Sequence, residues 1–389
     1  MKLSALEEAA TVALADRVRK LQSSGRRIYA LQTGDPDFAT PIPIVEAAYQ
    51  AMRQGHTHYC DSRGLPELRQ AIAGKHMRAD AVEYDPAKEI LVTCGGVHAY
   101  YCALLAILNP GDEVMVPDPS WMTHVNLVGL TGGRPVRVPA LPEGGFLPTM
   151  SSWEKMISPR TVALVLNSPS NPTGSVASPE YLGELCDLAA RRNLYVISDE
   201  VYESILYEGL HHTCAASIPG AKDRCLVINS FSKTYAMTGW RIGYLAAPER
   251  VVNQALKASQ HSITNVAPFI QRAAIAALGD SAAAAVSEMT AAYSRRRHNV
   301  IRMWRECPGP IRLCEPQGAF YFFIDMRGLH LSSNEIAESL LQETGVAVVP
   351  GSVYGKNGEG FLRMTIAAAD ETIAAGFQSL LHWAAGRVN

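Results

Sequence analysis

Between residues 90 and 246 the chain alternates short apolar runs with longer segments of helical periodicity. The runs are Ile90–Thr93, Glu113–Pro117, Thr161–Leu166, Tyr195–Ser198, Leu226–Asn229 and Arg241–Ala246. Apolar on both of their faces, such runs read as strands buried on both sides, which is the signature of a mainly parallel sheet covered by helices. The intervening pattern predicts helices, one running on to Leu108 and another over Pro179–Arg192. The second has Ser178 as its N-cap and Pro179 in its first turn, where a missing N–H costs nothing. Asn109-Pro110-Gly111-Asp112 reads as a turn.

The flanks follow a different pattern. Residues 5–24 predict an amphipathic helix closed by Gly25, followed by an irregular stretch with Gly34, Pro36, Pro41 and Pro43. Near residue 280 a long Ala-rich helix is expected over Ser281–Arg305. Beyond it lie a strand over Gly318–Asp325, a helix over Ser333–Glu343, short strands near Val346–Val349 and Phe361–Thr365, and a final helix. The fold class expected is α/β: a large domain over 45–285 with a seven-stranded type of sheet, plus a smaller α+β domain built from 1–44 and 286–389 together.

Composition narrows the function. At 389 residues the chain exceeds one ordinary domain, and 48% hydrophobic against 19% charged residues supplies a sizeable core. A net charge of −2 gives no attraction to nucleic acid. The run Arg295-Arg296-Arg297 reads as a solvated helix face. None of the eight cysteines forms a CxxC pair, so no zinc ribbon or thioredoxin-like motif, and no metal site, is expected. Met1–Lys20 lacks the apolar run of a signal peptide. No stretch approaches the ~18 apolar residues of a membrane span. The expectation is a cytoplasmic protein with reduced thiols.

Open parallel sheets gather ligands outside the carboxyl ends of their strands. Here several strand ends carry polar groups or glycines. Asp199 closes Tyr195–Ser198, Asn167 follows Thr161–Leu166, Ser230, Ser232 and Lys233 follow Leu226–Asn229, and Gly95-Gly96 follow Ile90–Thr93. Gly95-Gly96 before a helix present backbone N–H groups to a phosphate, and Ser230, Ser232 and Arg241 complete such a cup. Lys233, desolvated and near cations, becomes a nucleophilic amine. Asp199 suits a protonated pyridine nitrogen, and Tyr202 shares its side of the chain.

These segments resemble the class I/II aminotransferases of pyridoxal-phosphate fold type I over essentially the whole length. The most specific is Ser230-Phe-Ser-Lys-Thr-Tyr-Ala-Met-Thr-Gly-Trp-Arg-Ile-Gly-Tyr; the others are Asn171-Pro-Thr-Gly, Ser198-Asp-Glu-Val-Tyr, Gly34-Asp-Pro-Asp-Phe and Arg363-Met-Thr-Ile-Ala. The resemblance implies pyridoxal 5′-phosphate held by Lys233 as a Schiff base. It further implies Asp199 on the pyridine nitrogen, Asn171 and Tyr202 on the phenolic oxygen, and Trp121 stacked on the ring. Gly95, Gly96, Val97, Ser230, Ser232 and Arg241 are placed around the phosphate. Tyr59 matches a tyrosine that serves the partner subunit's phosphate, implying a homodimer with shared sites. Gly34 and Arg363 are expected on the substrate α-carboxylate, with Phe38 and Trp121 lining the substrate pocket. Val97-His98 depart from the Lys or Ala, then Gln, often found after the two glycines.

The activity so implied is ping-pong transfer of an amino group between an L-amino acid and a 2-oxo acid. A lyase, decarboxylase or oxidase on the same fold is the alternative, because the shared residues bind the cofactor rather than choose the bond to break. A cofactor-binding regulator lacks room for a DNA-binding module.

Overall fold

The computed structural model describes residues 10–387. Its centre is a seven-stranded sheet in the order Ile90–Thr93, Gly243–Ala246, Cys225–Ser230, Tyr195–Asp199, Thr161–Asn167, Glu113–Asp118, Arg134–Pro139. Gly243–Ala246 runs antiparallel to both neighbours, and the remaining pairings are parallel.

Successive strand residues enter opposite apolar layers. Leu91, Val114, Val116, Ala163, Val165, Ile197, Leu226, Ile228 and Leu245 face one layer, with Ala103, Leu104, Val252 and Ala255 from helices Gly96–Ile107 and Glu249–Ser262. Val92, Met115, Leu164, Leu166, Val196, Val227 and Ala246 face the other, with Leu68, Ile72, Leu185 and Ala274 from three further helices. Each buried Val, Leu or Ile contributes roughly 1.5–3 kcal/mol by leaving water. Both faces therefore hold the sheet, and its strand ends are fixed points.

A second, antiparallel sheet has the order Val349–Pro350, Phe361–Thr365, Tyr321–Asp325, Arg312–Cys314. Tyr29–Ala30 pairs in parallel with Val346–Ala347, joining the N-terminal segment to this part of the chain. The helix Ser333–Thr344 beside it is fixed at both ends. Ser332 and Glu335 form a reciprocal capping box, and Gly345 takes the left-handed conformation that follows a helix.

The helix expected over 5–24 is seen as Ala10–Ser23; residues 5–9 lie outside the described residues. Ser178 caps its helix as expected, accepting the Tyr181 N–H. Four readings are corrected. Pro41 and Pro43 do not mark an irregular stretch: Pro41 is the N-cap of helix Ile42–Arg53 and Pro43 lies in its first turn. The strand expected from Arg241 begins at Gly243, because a 3₁₀ turn at Thr238–Trp240 leaves Arg241 left-handed at φ 55°. The strand expected from Gly318 begins at Tyr321. Arg296 and Arg297 are not solvated: they are 7% and 2% exposed, their charges met by Asp37, Asp370 and Glu208.

Candidate active site

Thr93, Asp118, Asn167, Asp199 and Ser230 end five parallel strands of the large sheet at one edge. A cavity of about 400 Å³ opens there, against Arg363 and Tyr321 of the second sheet and Gln32–Gly34 of the N-terminal segment.

Lys233 follows Ser230 by three residues and turns into this cavity, where its Nζ donates to the Gly34 carbonyl at 2.6 Å. Burial pushes its pKa down to about 8; Asp35 and Asp199 oppose that shift, while Arg363 and Arg241 add to it. A useful fraction of the amine is thus neutral near pH 7–8, as a nucleophile or proton carrier requires.

Asp199 is buried and held from several sides. His124 Nε2 lies 2.9 Å from its Oδ2, and Ser120 Oγ lies 3.1 Å from His124 Nδ1. Its backbone carbonyl accepts from Asn167 Nδ2 at 3.0 Å. Asn167 Oδ1 in turn accepts the Asn171 N–H at 2.8 Å, which fixes the turn carrying Asn171. Asn171 Oδ1 then accepts from Arg363 Nη1 at 3.2 Å. Arg363 is buried, donates through Nη2 to the Gln32 carbonyl, and lies 4.5 Å from the Tyr321 ring centroid. Tyr202 and Tyr321 share a hydroxyl hydrogen bond of 2.9 Å. Burial raises the pKa of both phenols, so both stay protonated.

At the other end of the cavity, Gly95 caps helix Gly96–Ile107 with φ 82°. Glycine is needed there for conformation and for space: a Cβ on Gly95 would stand 2.7 Å from Arg241 Nη2. Ser230 Oγ donates to Ser232 Oγ at 2.8 Å beside this helix start. Two hydroxyls, a guanidinium and the N–H groups of the first helical turn form a cradle for a dianion.

The cavity brings together the predicted Gly34, Gly96, Val97, Trp121, Asn171, Asp199, Tyr202, Ser230, Ser232, Lys233, Arg241 and Arg363. It does not include Phe38, which lies edge-on to Tyr293 at 5.5 Å beneath the Arg296 guanidinium. Tyr59 is 86% exposed and lies outside this cavity. Sequence reading missed His124, Tyr321 and the pocket-facing residues Thr11, Val12, Ala15 and Arg19 of the first helix. A signal existed for His124, a titratable residue one turn past Trp121 in the largely apolar helix Met122–Leu130.

Fold and site define an enzyme in which a lysine amine of lowered basicity faces a buried carboxylate beside an anion cradle. The profile of the family described as Aminotransferase class I and II matches residues 26–378. An aspartate aminotransferase of Pyrococcus abyssi is 43% identical over 89% of each chain. The aromatic-amino-acid aminotransferase 2 of Thermococcus litoralis is 39% identical over 93% of this chain and 96% of its own. The solved aspartate aminotransferase of Thermus thermophilus with maleate superposes with a TM-score of 0.93 over 98% of each chain, at 37% identity. The chain belongs to the class I and II aminotransferase family. It is an aminotransferase, and its cofactor is pyridoxal 5′-phosphate.

The residues present fit that group. The glycine cradle with Arg241 suits its phosphate, and the Lys233 amine suits its aldehyde. Asp199 suits a pyridinium. Arg363 Nε is buried without a hydrogen-bond partner among the described residues, which suits a substrate carboxylate. Among the described residues no helix is long and apolar enough to cross a membrane.

Proposed function

We propose that this aminotransferase takes L-amino acids with aromatic or other large apolar side chains and a 2-oxo acid acceptor, with the roles below. The observation that carries the substrate class is the outer cavity wall, where Val12, Ala15, Val97 and Trp121 face the site. An aromatic ring buries its area there without stranding a charge.

When bound, the cofactor supplies the electron sink that makes a proton on the substrate Cα acidic. Gly95, Gly96, Val97, Ser230, Ser232 and Arg241 hold its phosphate, and Trp121 covers its ring. Asp199 keeps the ring nitrogen protonated, oriented by His124. Asn171 and Tyr202 donate to its phenolic oxygen. The Arg363 fork and the Gly34 backbone hold the substrate α-carboxylate, which sets the Cα–H bond toward Lys233. Lys233 Nζ then takes that proton and returns it, a two-way transfer suited to an amine of pKa about 8.

The test is a matrix of amino donors against 2-oxo acid acceptors. Phenylalanine, tyrosine and leucine should exceed aspartate in kcat/KM by roughly tenfold or more, the scale of one pocket contact. An aspartate preference would favour a second reading, in which Arg19 on the cavity rim takes a distal carboxylate. Arg19→Gln should then remove that preference alone.

We further assign a large unit over 45–285 and a small one over 1–44 with 286–389, the latter carrying Arg363 and Gly34. The active form is a homodimer in which each Tyr59 serves the neighbour's phosphate. Its 86% exposure, and the exposed apolar side chains Ile42, Val45, Tyr49 and Met52 of helix Ile42–Arg53, support this. Light scattering tests it: a fully active species of one chain's mass would end the shared-site reading. A cytoplasmic location is supported by the thiols of Cys102, Cys186, Cys214 and Cys225, packed as small apolar groups in the core.

A further inference from the structure

Arg296 lies on helix Asp280–Glu306, away from the cavity, yet its guanidinium is almost wholly buried and every arm is engaged. Nη1 and Nη2 reach both oxygens of Asp37 at 2.7 and 2.8 Å. Nε donates to Asp370 Oδ1 at 2.6 Å, and Nη1 also reaches the Ile366 carbonyl at 3.2 Å. The Phe38 ring lies below, 5.1 Å from the guanidinium carbon. Three segments distant in sequence meet on this one side chain.

Two of them border the site. Residues 34–40 carry Gly34 and are tied to the Lys233 loop by Gly34 O to Lys233 Nζ, by Thr238 Oγ1 to Asp35 at 2.7 Å, and by Thr40 Oγ1 to the Ala236 carbonyl at 2.6 Å. Those bonds hold the segment to the large sheet. Asp37, through Arg296, ties it instead to Ile366 and Asp370, just beyond the strand that carries Arg363. Lysine could not serve all of these acceptors at once, because only a planar fork meets both carboxylate oxygens while its Nε serves another acid.

We propose that Arg296 is a positioning residue: its fork on Asp37 holds the Gly34 segment in register with the Arg363 strand, so that both present one wall to the substrate carboxylate. This rests on the reading of Gly34 and Arg363 as that wall. Arg296 touches neither substrate nor cofactor. Its effect is on carboxylate capture, and it acts on all substrates alike because every amino acid and 2-oxo acid carries the same group.

The experiment compares Asp37→Asn with Asp370→Asn in the holoenzyme, both of which keep Arg296 in place. The readouts are the inhibition constant of 3-phenylpropionate, a carboxylate that cannot react, and KM and kcat for several donors and acceptors. Asp37→Asn should weaken 3-phenylpropionate and raise every KM in parallel by roughly tenfold or more, the scale on which small misplacements act. Asp370→Asn, whose side chain is 54% exposed, should stay within about twofold, as surface substitutions do. Arg296→Lys should match Asp37→Asn, and the double variant should be no worse than the worse single one. Equal effects of Asp37→Asn and Asp370→Asn, or an unchanged inhibition constant in Asp37→Asn, would overturn the proposal. Arg363→Lys separates the two levels. If it too leaves 3-phenylpropionate unaffected, the carboxylate wall itself is wrong. If it weakens binding while Asp37→Asn does not, the role of Arg296 alone is wrong.

Discussion

His124 Nε2 stands 2.9 Å from Asp199 Oδ2, with Ser120 Oγ 3.1 Å from its other ring nitrogen. Against a carboxylate the Nε2–H is the donor in either ring state: Ser120 donates to Nδ1 of a neutral ring and accepts from the Nδ1–H of a charged one. The ring aims Asp199 through Oδ2, while Oδ1 is turned toward the Val201 N–H. A hydrogen bond to a charged group contributes about 1.5–3 kcal/mol, which is about ten- to a hundredfold in rate if it is needed in the transition state. His124→Phe should therefore lower kcat within that range. Asp199→Ala should lower it further, because it removes the charge itself. Equal turnover in His124→Phe and the parent enzyme would show that Asp199 needs no such support.

Lys233 should carry the cofactor. Borohydride reduction of the holoenzyme, followed by peptide mapping, should find the label on Lys233 and on no other lysine. The cofactor-free protein offers a second check through its stability. The folded pKa of about 8 lies below the ordinary 10.5, so the unfolded chain binds more protons between those values. Burial of a charged Lys233 therefore costs stability below pH 8, and the cost fades as pH rises to 10.5. Lys233→Met should stabilise the cofactor-free protein at pH 7 by roughly 3 kcal/mol, judged from the size of the shift. That gain should shrink toward pH 10.

Arg363→Lys keeps a charge at the end of the cavity but loses the fork on Asn171 and Gln32. It should cut kcat/KM for every amino acid in parallel while cofactor binding persists. The same protein tests the type of reaction. An amino acid alone should release one equivalent of 2-oxo acid and stop, and a second 2-oxo acid should restart turnover. Continuous ammonia release would point to a lyase or oxidase instead.

The large sheet was legible because its strands are apolar on both faces and short, so Ile90–Thr93 matches residue for residue, as does Phe361–Thr365 in the second sheet. The strand Arg134–Pro139 was not foreseen. It lies at the sheet edge, begins exposed, and holds two prolines and two arginines, a sequence that only an edge position tolerates. The site was legible where chemistry is local: Lys233, Ser230 and Ser232 lie within four residues of one another. Partners supplied by remote segments were not. Tyr321 sits in an apolar strand run that gives no hint of its hydroxyl bond to Tyr202. Arg296 looked like one of three solvated charges because its carboxylates stand 74 and 259 residues away. Phe38 was read as pocket lining from its place near Gly34, but the Arg296–Asp37 fork draws it to Tyr293 instead.

Behind Asp199, Glu200 and His212 form a buried pair at 2.9 Å whose titration sets a pH window for stability. Burial works against a charge on Glu200, yet His212, the Ala215 N–H and Ser198 Oγ outweigh it and hold its pKa at about 2, below the ordinary 4.5. Its contribution is present above pH 4.5 and is lost as pH falls toward 2. Burial likewise works against a charged His212, but Glu200 raises its pKa above the ordinary 6.5. That contribution is complete below pH 6.5 and is lost as pH rises through the raised value. The pair therefore stabilises most between about pH 4.5 and 6.5, where both charges are present. Removing one partner of a buried pair typically costs about 3–5 kcal/mol. His212→Asn should lower the unfolding free energy by that order at pH 5.5, and the gap to the parent protein should narrow steadily toward pH 9. Denaturant unfolding of both proteins across this range measures it. A gap that stays constant from pH 5.5 to 9 would mean His212 packs there as a neutral ring and the ion pair plays no part.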